Sequence, residues 1–330
     1  MRNKQVLLAS RPTRPVDESI FRIVESDVGP VGEGHVLTRI HYLSVDPYMR
    51  MRMEAAKSYA APQPVGEVMI GGTVGEVIES RHPQFRRGDM VVGMGGWQQY
   101  HLGDGTALRK VDTSVVPASA YLGPVGMPGI TAWYGLTHIG KPRPGETVLV
   151  SAAAGAVGSV AGQLARLMGC RAVGIAGGPA KCDHVVRDLG FDAAADHRAP
   201  DFDQQLAGAT PTGVDVVFEN VGGTVLDLAL TRMNPYGRVV LCGAISGYDR
   251  PEPPLRNARS ILVNRLSVQG FIVSEHVQCW PHALSELGAY VAVGKIRYRE
   301  TVAHGLENAP RAFLGLLRGE NIGKQLVKLV

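Results

Sequence analysis

The chain has 330 residues, of which 45% are hydrophobic and 19% charged, with 41 glycines and a formal net charge of +4. That length suits one large or two ordinary domains with sizeable cores, and the composition excludes disordered, fibrous and coiled-coil classes. The charge is dispersed, with only a short patch around Arg50 and Arg52, which argues against a nucleic-acid partner, and no apolar run reaches the ~18 residues that would cross a membrane.

The first third alternates short β-branched runs with Gly, Pro and Asp, as in GHVLTRIHYLSVD, IGGTVGEVIES and GDMVVGMGGW, the texture of an irregular, partly antiparallel β domain. From about Pro117 strand, glycine turn and helix alternate: TVLVSA, GSVAGQLARLMG, RAVGIAG, AKCDHVVRDLG and AAADH, then VDVVFENVGG, GRVVLCGAI and SVQGFIV. That order predicts a parallel sheet with helices on both faces, a doubly wound domain over 122–300. YDRPEPPLRNARS is too proline-rich for a sheet and reads as a lid or a plain surface connection. The tail predicts a helix in NAPRAFLGLLRG and a last strand in KQLVKLV, which needs a sheet to join; the β domain, 1–121, can supply it, so that 301–330 returns to it. Four cysteines (Cys170, Cys182, Cys242 and Cys279) lie far apart, with no C-x-x-C pair, and suit a reducing cytoplasm rather than a disulfide framework or zinc site.

The chemistry centres on VSAAAGAVGSVAGQ. The dinucleotide fingerprint G-x-G-x-x-G wants glycine where Ala153 stands, but Gly155 and Gly158 are in place between a strand and a helix, where backbone N–H groups and the helix dipole receive a pyrophosphate. A small-residue helix packed on a sheet is the plainer alternative. At the tip of the following strand, GIAGGPAK lacks the acidic residue that would hold a ribose 2′-hydroxyl. Gly177, Gly178 and then Lys181 favour a 2′-phosphate, hence NADP(H), because a lysine in a first helical turn is disfavoured unless an anion is close. Gly135, Gly140 and Lys141 imitate a P-loop, but Pro142 replaces the Ser or Thr that would hold magnesium. H-E-x-x-H, G-x-S-x-G and calcium-loop patterns are absent.

YLSVDPYMR, GWQQY, GMPGITAWYGL, AAAGAVGS, ENVGG, CGAIS, GLENAPRAF and GENIGK together make the chain resemble the zinc-independent medium-chain dehydrogenase/reductases, in the leukotriene B4 dehydrogenase or prostaglandin reductase branch, and most of all the bacterial NADPH-dependent curcumin reductases. The resemblance implies a GroES-like β domain plus a Rossmann domain, an α/β fold, and a homodimer. Ser44, Val45 and Asp46 stand where zinc-containing relatives begin a metal site with cysteine, so no metal is expected. It places the pyrophosphate on Gly155, Ala156, Val157 and Gly158, and the 2′-phosphate beside Gly177, Lys181 and His197. The nicotinamide and ribose would meet Asn220, then Cys242, Gly243, Ala244, Ile245 and Ser246, then Phe271, Ile272 and Val273, and finally Asn321. It also implies reduction by NADPH of a carbon–carbon double bond conjugated to a ketone or aldehyde. Tyr248 is the candidate hydrogen-bond donor to the developing oxyanion, with Tyr48, Tyr59, Trp97 and Met127 shaping the substrate pocket. Val263 departs from the tyrosine that mammalian and plant relatives carry near that position. Quinone reduction and a non-catalytic NADPH-binding role stay open as alternatives.

Overall fold

The computed structural model describes every residue except Arg14, Lys57 and Glu252. The chain begins with β1 (Arg2–Leu8), β2 (Phe21–Asp27), β3 (Val36–Ser44), β4 (Thr73–Ser80), β5 (Met90–Gly93), β6 (Tyr100–Gly103) and β7 (Arg109–Lys110). It continues through β8 (Thr147–Ser151), β9 (Arg171–Ala176), β10 (Ala193–Asp196), β11 (Val214–Glu219), β12 (Met233–Leu241) and β13 (Ser267–Gly270), and closes with β14 (Glu300–His304) and β15 (Lys324–Lys328). Contacts gather these into two units: Met1–Leu122, Glu300–Asn321 and Gln325–Val330 form the first, and Gly123–Arg299 with Ile322–Lys324 the second.

In the first unit, among the described residues, β14, β15, β3, β4, β5 and β7 lie side by side in one sheet, with β6 also paired to β3; β1 and β2 form a separate antiparallel pair. The last strand, β15, runs antiparallel to β3 with Val327 opposite Leu43, the sheet that the sequence required for KQLVKLV. Leu8, Leu43, Met49, Met69, Phe313 and Val327 fill the core beneath it.

The second unit carries a parallel sheet in the order β10, β9, β8, β11, β12, β13 among the described residues. Successive side chains of a strand point to opposite faces, and both faces are apolar here, which is why these strands read as unbroken hydrophobic runs. Val148, Val150, Val216, Phe218 and Val240 face one core and Leu149, Val173, Ile175, Val217 and Val239 the other. Helix Ala156–Leu167 covers the first of these faces. Helix Gly223–Leu230 covers the second. The strand order reverses between β8 and β11, the switch point where ligands of doubly wound sheets bind. The P-loop imitation is not a loop: Gly135–Gly140 continues the helix Met127–Tyr134, and Lys141 ends it in the left-handed region.

Candidate functional site

The second unit gathers most of the expected cofactor residues along the carboxyl ends of its strands. β8 ends at Ser151, and the chain turns tightly at Ala152, whose φ of 49° is one an L-residue rarely adopts. Ala153, in the place of the fingerprint's first glycine, keeps a negative φ and is fully buried. Gly155 precedes the helix Ala156–Leu167, and no side chain caps its start, so the first N–H groups of Ala156, Val157 and Gly158 are left for another acceptor. A Cβ on Gly158 would stand 2.4 Å from the Ala152 carbonyl oxygen, so glycine is what lets the helix sit so close to the turn. The tail segment Ile322–Lys324 lies against the same turn, the Gly323 N–H donating to the Ala154 carbonyl at 2.7 Å. Asn321, nearly buried, immediately precedes it.

At the tip of β9, parallel pairing with β10 brings His197 and Arg198 beside Gly177. A Cβ on Gly177 would meet His197 Nε2 at 2.8 Å and Arg198 Nε at 2.9 Å. Asp196 fastens this corner by accepting the Gly178 N–H at 2.7 Å and the Arg198 N–H at 2.9 Å on Oδ1. Lys181, in the helix Pro179–Asp183, has its pKa lowered by burial and by the charge of Arg198. His197 is lowered by desolvation first and then by Arg198. The charge of Arg198 thus disfavours the charged forms of both Lys181 and His197, an effect that a phosphate beside them would offset. Arg198 was not among the residues expected from sequence; its signal would have been its place next to His197 at the end of a strand parallel to β9.

At the ends of β11 and β12, Glu219 is completely buried and its Oε1 accepts from Ser151 Oγ at 2.9 Å, the Val221 N–H at 2.6 Å and the Gly222 N–H at 2.7 Å. Burial raises its pKa against the pull of these donors. Asn220 Nδ2 donates to the Ser151 carbonyl at 2.7 Å. The residues after β12 fold back over this corner: the Cys242 and Gly243 N–H groups reach the Glu219 carbonyl, and those of Ile245 and Ser246 reach the carbonyls of Asn220 and Val221. Burial and the neighbouring Glu219 push the Cys242 thiol up to about 12, which keeps it protonated and unreactive. Ala244 donates its N–H to the Tyr248 hydroxyl at 3.4 Å, and that hydroxyl lies 3.3 Å from where a Cβ on Gly243 would stand. Phe271 packs on Tyr134 at 5.5 Å between ring centroids, and the Val273 carbonyl accepts Trp280 Nε1–H at 3.2 Å, fixing the segment that also contains Ile272. Met127 opens the helix Met127–Tyr134, half-buried against the same unit's core.

In the first unit, Tyr48 begins the helix Tyr48–Arg52, and its pKa is raised by burial, by the charge of Asp46 and by Tyr59. Tyr59 is half-exposed, and Arg52, close to both hydroxyls, pulls each the other way. Ser44 donates its hydroxyl to Asp46 Oδ2, both residues buried. Trp97, expected as part of the substrate wall, has 0% exposure and lies in the unit's core, stacked on Phe21 at 5.5 Å and edge-on to Phe313 at 5.9 Å. Val263, where relatives were expected to carry tyrosine, is exposed on the short helix Arg259–Val263. The loop preceding that helix has no regular structure among its described residues, and Glu252 within it lies outside them. Among the described residues no group of three or more His, Cys, Asp or Glu could hold a metal ion.

Residues 4–111 match a family described as the N-terminal domain of oxidoreductase, and residues 156–289 one described as zinc-binding dehydrogenase. Along 99% of its length the chain is 46% identical to the NADPH-dependent curcumin reductase of Escherichia coli (strain K12), 97% of which is covered. It is 41% identical to the NADP(+)-dependent 2-alkenal reductase of Nicotiana tabacum, over 98% of this chain and 97% of that one. Its structure superposes on CurA from Vibrio vulnificus in complex with NADPH with a TM-score of 0.94 at 44% identity, covering 99% of both chains.

Proposed function

The chain belongs to the medium-chain dehydrogenase/reductase family, in the branch of the curcumin, 2-alkenal and prostaglandin reductases, and from that membership we propose that it reduces the carbon–carbon double bond of α,β-unsaturated ketones and aldehydes with NADPH. The observation that carries the cofactor is the cluster of Lys181, His197 and Arg198 around Gly177, whose cationic groups suit a 2′-phosphate. The uncapped helix start at Ala156, Val157 and Gly158 suits the pyrophosphate, and Asn220, the backbone after β12 and the segment of Phe271, Ile272 and Val273 the nicotinamide half. Asn321 is assigned to the same half.

When bound, NADPH supplies a hydride to the β-carbon of the enone. Negative charge then develops on the carbonyl oxygen, and a phenol suits it as a partner because it donates a hydrogen bond while staying neutral at pH 7. Tyr248 is assigned that donor role, since its hydroxyl sits over the backbone of Gly243 and Ala244. Tyr48, Tyr59 and Met127 are assigned to substrate positioning; the raised pKa values of Tyr48 and Tyr59 keep both as donors. Trp97 is left out of the pocket and assigned to the core.

A homodimer is part of the proposal. It is supported by β13, an edge strand exposed along its whole length that carries exposed Val268, with Leu262 and Val263 exposed on the helix that precedes it. A cytoplasmic setting is supported by the absence of disulfides among four free thiols.

The test is NADPH oxidation followed with a panel of enones, quinones and simple aldehydes, with NADH in parallel. Turnover of enones with NADPH preferred is expected. Tight NADPH binding without turnover of any enone would leave a binding protein, and quinone turnover alone would move the chain to quinone reduction.

A further inference from the structure

We infer that Glu219 is a positioning residue for the nicotinamide half of the cofactor, acting through Ser151 and Asn220; the inference rests on the reading of the chain as an NADPH enzyme. The strand order locates the two halves. The fingerprint turn follows β8 and the cationic cluster follows β9, on one side of the switch point, so a dinucleotide lying across the sheet meets the tips of β11 and β12 with its other half.

Glu219 ties those tips together from beneath. Three donors converge on its Oε1: the Ser151 hydroxyl from β8 and two N–H groups from the turn into the helix Gly223–Leu230. With its proton committed to Glu219, Ser151 Oγ turns its lone pair to the Asn220 N–H at 2.7 Å, while the Ser151 carbonyl holds the Asn220 side-chain amide at 2.7 Å. The orientation of the Asn220 side chain therefore follows from a carboxyl to which that side chain itself makes no hydrogen bond. On its other flank, the Glu219 backbone carbonyl accepts from both Cys242 and Gly243, so the chain after β12 is hung on the same residue.

Burying a carboxyl is costly, and this one leaves Oε2 with no hydrogen-bond partner among the described residues. A turn that needs an acceptor for only two backbone N–H groups could be closed by a short exposed Asp or Ser side chain. A longer acid driven wholly under the strand ends is what reaches Ser151 on the adjacent strand, and reach is the property to test.

Glu219→Asp keeps the charge and shortens the side chain by one methylene; Glu219→Gln keeps the reach and an acceptor oxygen without the charge. Each is titrated by calorimetry with NADPH and with 2′,5′-ADP, which carries the adenosine and the 2′-phosphate but no nicotinamide, and the melting temperature of the free protein is recorded. Glu219→Asp should weaken NADPH about tenfold or more while 2′,5′-ADP stays within about twofold, and Glu219→Gln should recover most of that loss. Ser151→Ala, which removes the same link from the other side, should repeat the pattern and serves if Glu219→Asp does not fold. Equal weakening of both ligands, or of neither, overturns the inference by making Glu219 a purely structural acid or an idle one. Failure of the wild-type protein to bind NADPH would instead overturn the reading beneath it.

Discussion

The methyl group of Ala153 occupies the space that a side chain on Gly174 would need: a Cβ built on Gly174 would stand 2.8 Å from the Cβ of Ala153 and 2.7 Å from Cγ1 of Val185. The alanine that breaks the glycine fingerprint is thus accommodated by a glycine on the neighbouring strand, β9. Gly174→Ala should destabilise the protein by about 1–3 kcal/mol through overpacking. In an Ala153→Gly background the cost should shrink by roughly 0.5–1 kcal/mol and not vanish, since Val185 remains. Urea denaturation of the four proteins in this cycle gives the coupling, and strict additivity would show that the two residues do not compete for space.

Removal of the cationic groups should separate NADPH from NADH. Lys181→Ala and Arg198→Ala should each raise the Michaelis constant for NADPH by about 10- to 100-fold, the scale of one charge-assisted hydrogen bond, and leave that for NADH nearly unchanged. Steady-state kinetics with both cofactors measures this. A parallel rise with NADH would assign the two residues to folding of the corner rather than to the 2′-phosphate.

Acidification should destabilise the protein through its histidines. His41, His101, His138 and His197 all have pKa values lowered below the ordinary 6.5, with desolvation the largest cause in each. The folded state therefore binds fewer protons than the unfolded chain once the pH falls below about 6.5, so stability is full above that value and declines beneath it. Melting temperatures recorded from pH 8 to about pH 5 should fall in the lower part of that range, and His101→Gln should flatten the decline. A melting temperature constant through this window would contradict the lowered values.

Loss of the proposed oxyanion donor should affect rate more than binding. Tyr248→Phe should lower kcat for an enone by about 10- to 1000-fold with little change in the dissociation constant of NADPH. Tyr48→Phe and Tyr59→Phe should act mainly on the Michaelis constant of the enone. An unchanged kcat in Tyr248→Phe would transfer the donor role to one of the other two phenols.

The parallel sheet was legible because its strands are buried on both faces, so that runs such as TVLVS and VDVVFE are apolar without alternation and alternate with helical segments. The glycine turn after β8 was legible because its requirement is local: the steric limit at Gly158 comes from Ala152, six residues earlier in the chain. Arg198 escaped notice because it comes next to Gly177 only through the parallel register of β9 and β10. Glu219 escaped because in ENVGG it reads as a strand-end acid, and its complete burial depends on β8 and the chain after β12 closing around it. The burial of Trp97 was hidden for the corresponding reason, since the Phe21 and Phe313 rings that enclose it come from distant parts of the sequence.

By itself the sequence determined the class of fold and the glycine turn between β8 and its helix, because strand alternation, helix starts and glycine sterics act over a few neighbouring residues. Tertiary structure alone decided which side chains back that turn, which cations converge beside Gly177 and which aromatic residue is core, because burial and charge depend on groups that only strand register brings within a few ångströms.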